Sequence, residues 1–164
     1  MPFEIPEDLH PDCAPVAWLL GTWHGNGHGD YPTIEAFDFG QECIFTHDGR
    51  PFFHYLSRSW EVDAAGEKVR DRAIETGFLR CRADGTVELL LAHNTGFVEV
   101  WYGSSEGAKI ELSTDAVVRT HSAKEYVAGH RLYGLVEGDL LWAYDMSAMG
   151  HALQPHIWGR LRRV

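Results

Sequence analysis

From residue 34 onward, glycine-centred turn signals cut the chain at intervals of about 18 to 30 residues: His47-Asp48-Gly49, Ala65-Gly66, Asp84-Gly85, Ser105-Glu106-Gly107 and Glu137-Gly138-Asp139. Each interval holds one or two short strands and a tight connection. Period-two patterning supports strands: Val87, Leu89 and Leu91 share a face, as do Val98, Val100 and Tyr102, then Ile110 and Leu112, then Leu140, Trp142, Tyr144 and Met146. Helical signals are few. Ala14–Leu20 suits a short helical turn. Leu153, Ile157 and Leu161 have helical spacing, but Pro155 interrupts it, so the C-terminal segment reads equally as a closing strand.

Many consecutive antiparallel strands in 164 residues, with no linker or repeat, close most simply into an up-and-down β-barrel, which removes exposed edges. The expected fold is thus all-β, a single domain over residues 1–164, with an apolar cavity for a small ligand. A sandwich also fits the alternation but leaves edges to protect.

Composition narrows the partners. Against 14 Lys+Arg stand 24 Asp+Glu, a formal net charge of −10, so the chain lacks the basic footprint that nucleic acid or an anionic membrane demands. No apolar run approaches the roughly 18–20 residues of a spanning helix. The start of the chain has no signal-peptide pattern, and Cys13, Cys43 and Cys81 have no close pairing. Reduced thiols in a cytoplasm are the expectation.

Common catalytic patterns are missing: there is no G-x-S-x-G elbow and no P-loop, and Gly25-Asn26-Gly27-His28-Gly29 lies outside any βαβ unit. The carboxylate pairs Asp38/Glu42 and Asp71/Glu75 read as solvated faces. Ten histidines remain, and neither spacing nor periodicity selects a ligand among them. His54, His93 and His130 fall within strands and point to lumen or solvent; His24 and His28 are four apart, but the glycines between them argue against a helical metal pair. Trp23, in Gly21-Thr22-Trp23, suits a plug across a barrel floor.

An ordered set of motifs is more specific. Gly21, Trp23, Gly25 and Gly27 form G-x-W-x-G-x-G. Tyr31-Pro32-Thr33-Ile34 follows, then Glu75-Thr76-Gly77-Phe78 with Arg80, Asn94-Thr95-Gly96, Val98-Glu99-Val100, Ala123-Lys124-Glu125 and Leu153-Gln154-Pro155-His156. In these residues the chain resembles the nitrobindin family, haem-binding barrels similar in architecture to fatty-acid-binding proteins, from about residue 15 to the C-terminus. The resemblance implies a barrel of about ten strands holding haem b, with His156 as the iron ligand and Thr33 and Lys124 as cofactor contacts. It implies a ferric haem protein that isomerises peroxynitrite to nitrate and binds nitric oxide reversibly. Pairing of two barrels into a homodimer through an outer face is compatible with it.

Other readings from different classes are a non-catalytic haem or nitric oxide sensor or carrier, and a barrel carrying a fatty-acid-like ligand. One departure stands out. Relatives often carry Met-His where this chain has Arg72-Ala73, so a charged head and a methyl replace them. The segment Val100-Trp101-Tyr102-Gly103 also adds bulk where relatives are usually polar.

Overall fold

The computed structural model describes residues 2–164. A 3-10 helix, Pro11–Leu19, leads into ten strands: β1 Gly21–Tyr31, β2 Ile34–Thr46, β3 Phe52–Val62, β4 Lys68–Cys81, β5 Thr86–His93, β6 Phe97–Glu106, β7 Lys109–Arg119, β8 Tyr126–Val136, β9 Asp139–Ala148 and β10 Gln154–Arg163. Each pairs antiparallel with its neighbours, and β10 pairs with β1, so the sheet closes into the up-and-down barrel that the turn spacing predicts.

The ambiguous C-terminal segment is a strand because closure offers it ladder partners on both sides, β9 and β1. Its four-residue spacing is also twice two: Ile157 packs against the core and Leu161 is fully buried within it, whereas Leu153 lies before the strand and is exposed. Pro155 sits at the start of β10, next to an irregularity in the ladder where its missing N–H costs least.

One end of the barrel is closed. Pro15 removes an N–H from the N-terminal segment, which winds as a 3-10 helix rather than an α-helix. Cys13, Val16 and Leu19 on this helix pack into the main core. Trp23 is fully buried, and its Nε1–H donates to the Leu19 carbonyl at 2.8 Å, as a plug would. The Arg163 guanidinium covers the same ring 4.1 Å from its centroid and donates to the carbonyls of Trp18 and Leu20. Gly25 and Gly27 let β1 approach β10: a Cβ at Gly25 would lie 2.1 Å from the Arg160 carbonyl oxygen, and one at Gly27 2.4 Å from that of Trp158. The lower half of the lumen is filled by Phe45, Phe53, Leu79, Leu89, Leu91, Ile110, Leu112 and Leu140. No helix among the described residues is long and apolar enough to cross a membrane.

The exterior is less polar than alternation alone suggests. Val98 and Tyr102 are exposed, while Glu99 and Trp101 between them are buried. Glu99 tolerates the lumen because Tyr126 donates to its Oε2 at 2.6 Å and His93 lies against its Oε1.

Candidate functional site

The upper half of the barrel holds a cavity of about 680 Å3, open between the turns at the end opposite the plug. That is within the roughly 300–1,000 Å3 usual for small-molecule sites. Ile34, Phe37, Phe39, Tyr144, Met146 and Ile157 give it apolar walls.

His156 lines the cavity, and its position follows from two irregularities in the sheet. The β10–β9 register runs Pro155↔Asp145 and then Ile157↔Tyr144, so His156 is the extra residue. The β1–β2 register shifts between Gly29 and Tyr31, leaving Asp30 without a partner on β2. Such extra residues re-aim side chains and release backbone groups from the ladder. The two meet: His156 Nδ1 lies 3.0 Å from the Asp30 carbonyl oxygen. A carbonyl only accepts, so Nδ1 carries the proton and Nε2 keeps its lone pair. Burial lowers the His156 pKa below the usual histidine value, opposed by the Asp30 hydrogen bond and reinforced by the charges of Arg72 and Arg131. The imidazole is therefore neutral at pH 7.

Tyr31 holds this corner. Its ring meets His156 edge-on, with centroids 5.4 Å apart, and Tyr144 flanks the imidazole at 5.7 Å. The buried Tyr31 hydroxyl accepts from the Ala148 N–H at 3.0 Å and lies 3.1 Å from the Met146 carbonyl, tying the end of β1 to β9. Thr33, in the β1–β2 turn, and Lys124, in the loop before β8, also line the cavity at its rim; Lys124 is exposed. All three sequence-selected residues thus converge on one space.

Beneath the cavity lies a polar floor that sequence reasoning missed. Arg131, 1% exposed, reaches across the lumen from β8 to Glu75 on β4, Nη1 donating to Oε1 at 2.6 Å and Nη2 to Oε2 at 2.8 Å. Tyr55 donates to Glu75 Oε1 at 2.7 Å, and His93 Nδ1 lies 3.4 Å from Oε2. Burial alone raises the Glu75 pKa; the charge and hydrogen bonds of Arg131 outweigh it and bring the carboxyl down to about 2. This corrects the reading of Asp71/Glu75 as a solvated pair: Asp71 is exposed and paired with Lys68 at 2.6 Å, but Glu75 is a lumen anion. Trp142 Nε1 donates to Gln41 Oε1 at 2.8 Å, and Gln41 donates to Ser57 Oγ at 2.9 Å, completing the layer. The other histidines divide by face. His93 faces the lumen, whereas His24 and His28 lie on the outside against Glu42 and Asp38, and His54 and His130 against Thr76 and Glu111.

These residues fit a haem. A neutral imidazole whose second nitrogen is held by a carbonyl is the donor such an iron takes. The apolar walls match a flat macrocycle, and the rim lysine suits its carboxylates.

A closed barrel that presents a neutral histidine into a wide-mouthed, largely apolar cavity defines a cofactor-binding member of the small-ligand barrels. More narrowly, the chain belongs to the THAP4-like, heme-binding β-barrel domain family, whose model matches residues 12–163. It is 72% identical over 163 residues to a peroxynitrite isomerase of a Nocardioides species, covering 99% of each chain. It is 46% identical to a ferric nitrobindin-like protein of Cutibacterium acnes, again over 99% of each. Among solved structures it resembles Rv2717c from M. tuberculosis, with a TM-score of 0.86 at 36% identity, covering 95% of this chain and 99% of that one.

Proposed function

We propose that this chain is a haem-dependent peroxynitrite isomerase, converting peroxynitrite to nitrate, and that it binds nitric oxide reversibly at the same site. The observation that carries the reading is His156, a neutral imidazole with its Nε2 lone pair free and its Nδ1 fixed on Asp30. Relatives named peroxynitrite isomerase, at 72% and 48% identity over 99% and 95% of this chain, support the activity.

In this reading His156 would hold the iron through Nε2, Thr33 would contact the cofactor near the mouth, and Lys124 would neutralise one of its carboxylates. A bound haem would supply a Lewis-acid and redox centre suited to rearranging one small anion. The protein holds that centre and limits escape. Asp30 and Tyr31 fix the ring plane of His156, and Phe37, Tyr144 and Met146 exclude water from the walls. Isomerisation has no net proton demand, so the reaction requires no acid–base pair from the protein. The polar floor truncates the lumen, and packed side chains fill the space below it, which disfavours a long acyl ligand.

Residues 1–164 would act as one haem-binding unit, in a cytoplasm where Cys13, Cys43 and Cys81 stay reduced as buried, unpaired thiols. Two copies would pair through the outer face of β4–β7, where Phe78, Val98, Tyr102 and Val118 are exposed. Stopped-flow mixing of peroxynitrite with the hemin-loaded protein, with nitrate measured at the end, tests the activity. Decay faster than in hemin-free buffer, with nitrate as the main product, is expected. Decay at the buffer rate would sink the isomerase reading.

A further inference from the structure

Arg72 is placed in the cavity by a third irregularity in the sheet. The β3–β4 register runs Arg58↔Ile74 and then Trp60↔Asp71, so Ser59 alone opposes both Arg72 and Ala73. Ser59 Oγ takes up the slack, accepting from the Ala73 N–H at 3.3 Å. Strict alternation would put Arg72 and Glu75, three apart, on opposite faces; with the extra residue both line the cavity. In the closed strand order β4 and β5 lie across the ring from β10, so Arg72 springs from the wall facing His156 and its side chain reaches over β3 to Phe37 on β2.

The guanidinium is pinned. Its Cζ lies 3.7 Å from the Phe37 ring centroid, and Nη1 donates to Glu61 Oε2 at 3.0 Å. Arg70 donates to the same oxygen at 2.7 Å, so one carboxylate serves two guanidiniums and the group keeps an excess positive charge. Nε and Nη2 of Arg72 make no hydrogen bond among the described residues. The other charges lining the cavity offer less to a guest: Glu75 is taken by Arg131, Glu99 lies against His93, Asp71 is paired with Lys68, and Lys124 and Glu125 are exposed at the rim.

We propose that Arg72 makes this site selective for small anions, holding a monovalent anionic guest against the side of the cofactor turned away from His156. The proposal rests on the haem reading and deepens it. A chain of net charge −10 repels anions at long range, so attraction must arise locally, and Arg72 is a half-buried, pinned cation on the cavity wall. Arg72 therefore acts on which ligand binds, and not on whether the cofactor does.

The test uses hemin-loaded wild type, Arg72→Met and Arg72→Lys, titrated at about pH 8 with azide and, separately, with neutral imidazole, following the Soret band. Azide affinity should fall on the order of tenfold in Arg72→Met and stay near wild type in Arg72→Lys, with imidazole affinity within about twofold throughout. Raising salt to about 0.3 M should weaken azide binding more in wild type than in Arg72→Met. Equal shifts for both ligands, or none, overturn the proposal. So does faster hemin loss from Arg72→Met at an unchanged azide-to-imidazole ratio, which assigns the guanidinium to the cofactor's carboxylates. A wild type that takes up no hemin refutes the haem reading itself, and the two failures are thereby told apart.

Discussion

Replacing Arg131 with methionine removes the cation from the polar floor while keeping much of its volume, and strands Glu75 in the lumen with one tyrosine hydroxyl and one imidazole. Breaking a buried pair in this way costs about 3–5 kcal/mol, most of it the penalty of the orphaned charge. For a chain of this length that lowers the melting temperature by roughly 10 °C. Glu75→Gln should cost a similar amount, since it leaves the 1%-exposed guanidinium with neutral partners only. The double variant should be more stable than either single one, with a coupling of about 2 kcal/mol or more in its favour.

Urea denaturation of the four hemin-free proteins at neutral pH measures this directly. Acid provides an independent arm. Glu75 is held at about 2 against an ordinary 4.5, so its contribution is complete above about pH 4.5 and is lost as pH falls toward 2. Over that window wild type should lose roughly 3 kcal/mol that Glu75→Gln does not. Single variants each costing less than about 1 kcal/mol, or a double variant as unstable as the sum of both, would show that Arg131 and Glu75 are not a coupled buried pair.

Tyr31→Phe should cost about 1–2 kcal/mol in urea melts, because the Ala148 N–H loses a buried acceptor, and should also speed hemin loss by loosening the corner that holds His156; unchanged stability and unchanged hemin retention would contradict this. Gly27→Ala should destabilise by about 2 kcal/mol or more, since its methyl would meet the Trp158 carbonyl oxygen at 2.4 Å, and a melt within about 0.5 kcal/mol of wild type would show that β1 and β10 can separate freely. Lys124→Ala should speed hemin transfer to apomyoglobin about three- to tenfold with stability unchanged; an unaltered rate would remove Lys124 from the cofactor contacts.

The barrel was legible because its punctuation is local. Turn glycines at Gly49, Gly66, Gly85, Gly107 and Gly138 all have positive φ, which glycine adopts without strain, so composition and conformation agree at every hairpin they mark. Which face points inward was less legible. Val98, Val100 and Tyr102 look like a core face, yet Glu99 and Trp101 take the lumen, because Tyr126 and His93 hydrogen-bond Glu99 there and Arg131 lies over the Trp101 ring. Period-two patterning carries no information about partners on other strands, so Arg131, Glu75 and His93 could not be joined from sequence. His156 was found by resemblance to a family motif; residue spacing alone left it one of ten histidines. The irregularities that aim His156 and Arg72 arise from register, which no single strand's sequence states, although Pro155 marks one of them.

A hemin titration followed at the Soret band shows whether His156 holds a haem in this barrel. Wild type should saturate at one hemin per chain, and His156→Ala should show a band that is abolished or strongly weakened while the apoprotein melts as a folded barrel. A wild type that shows no stoichiometric uptake, or a His156→Ala variant with an unaltered Soret band, would contradict that role for His156.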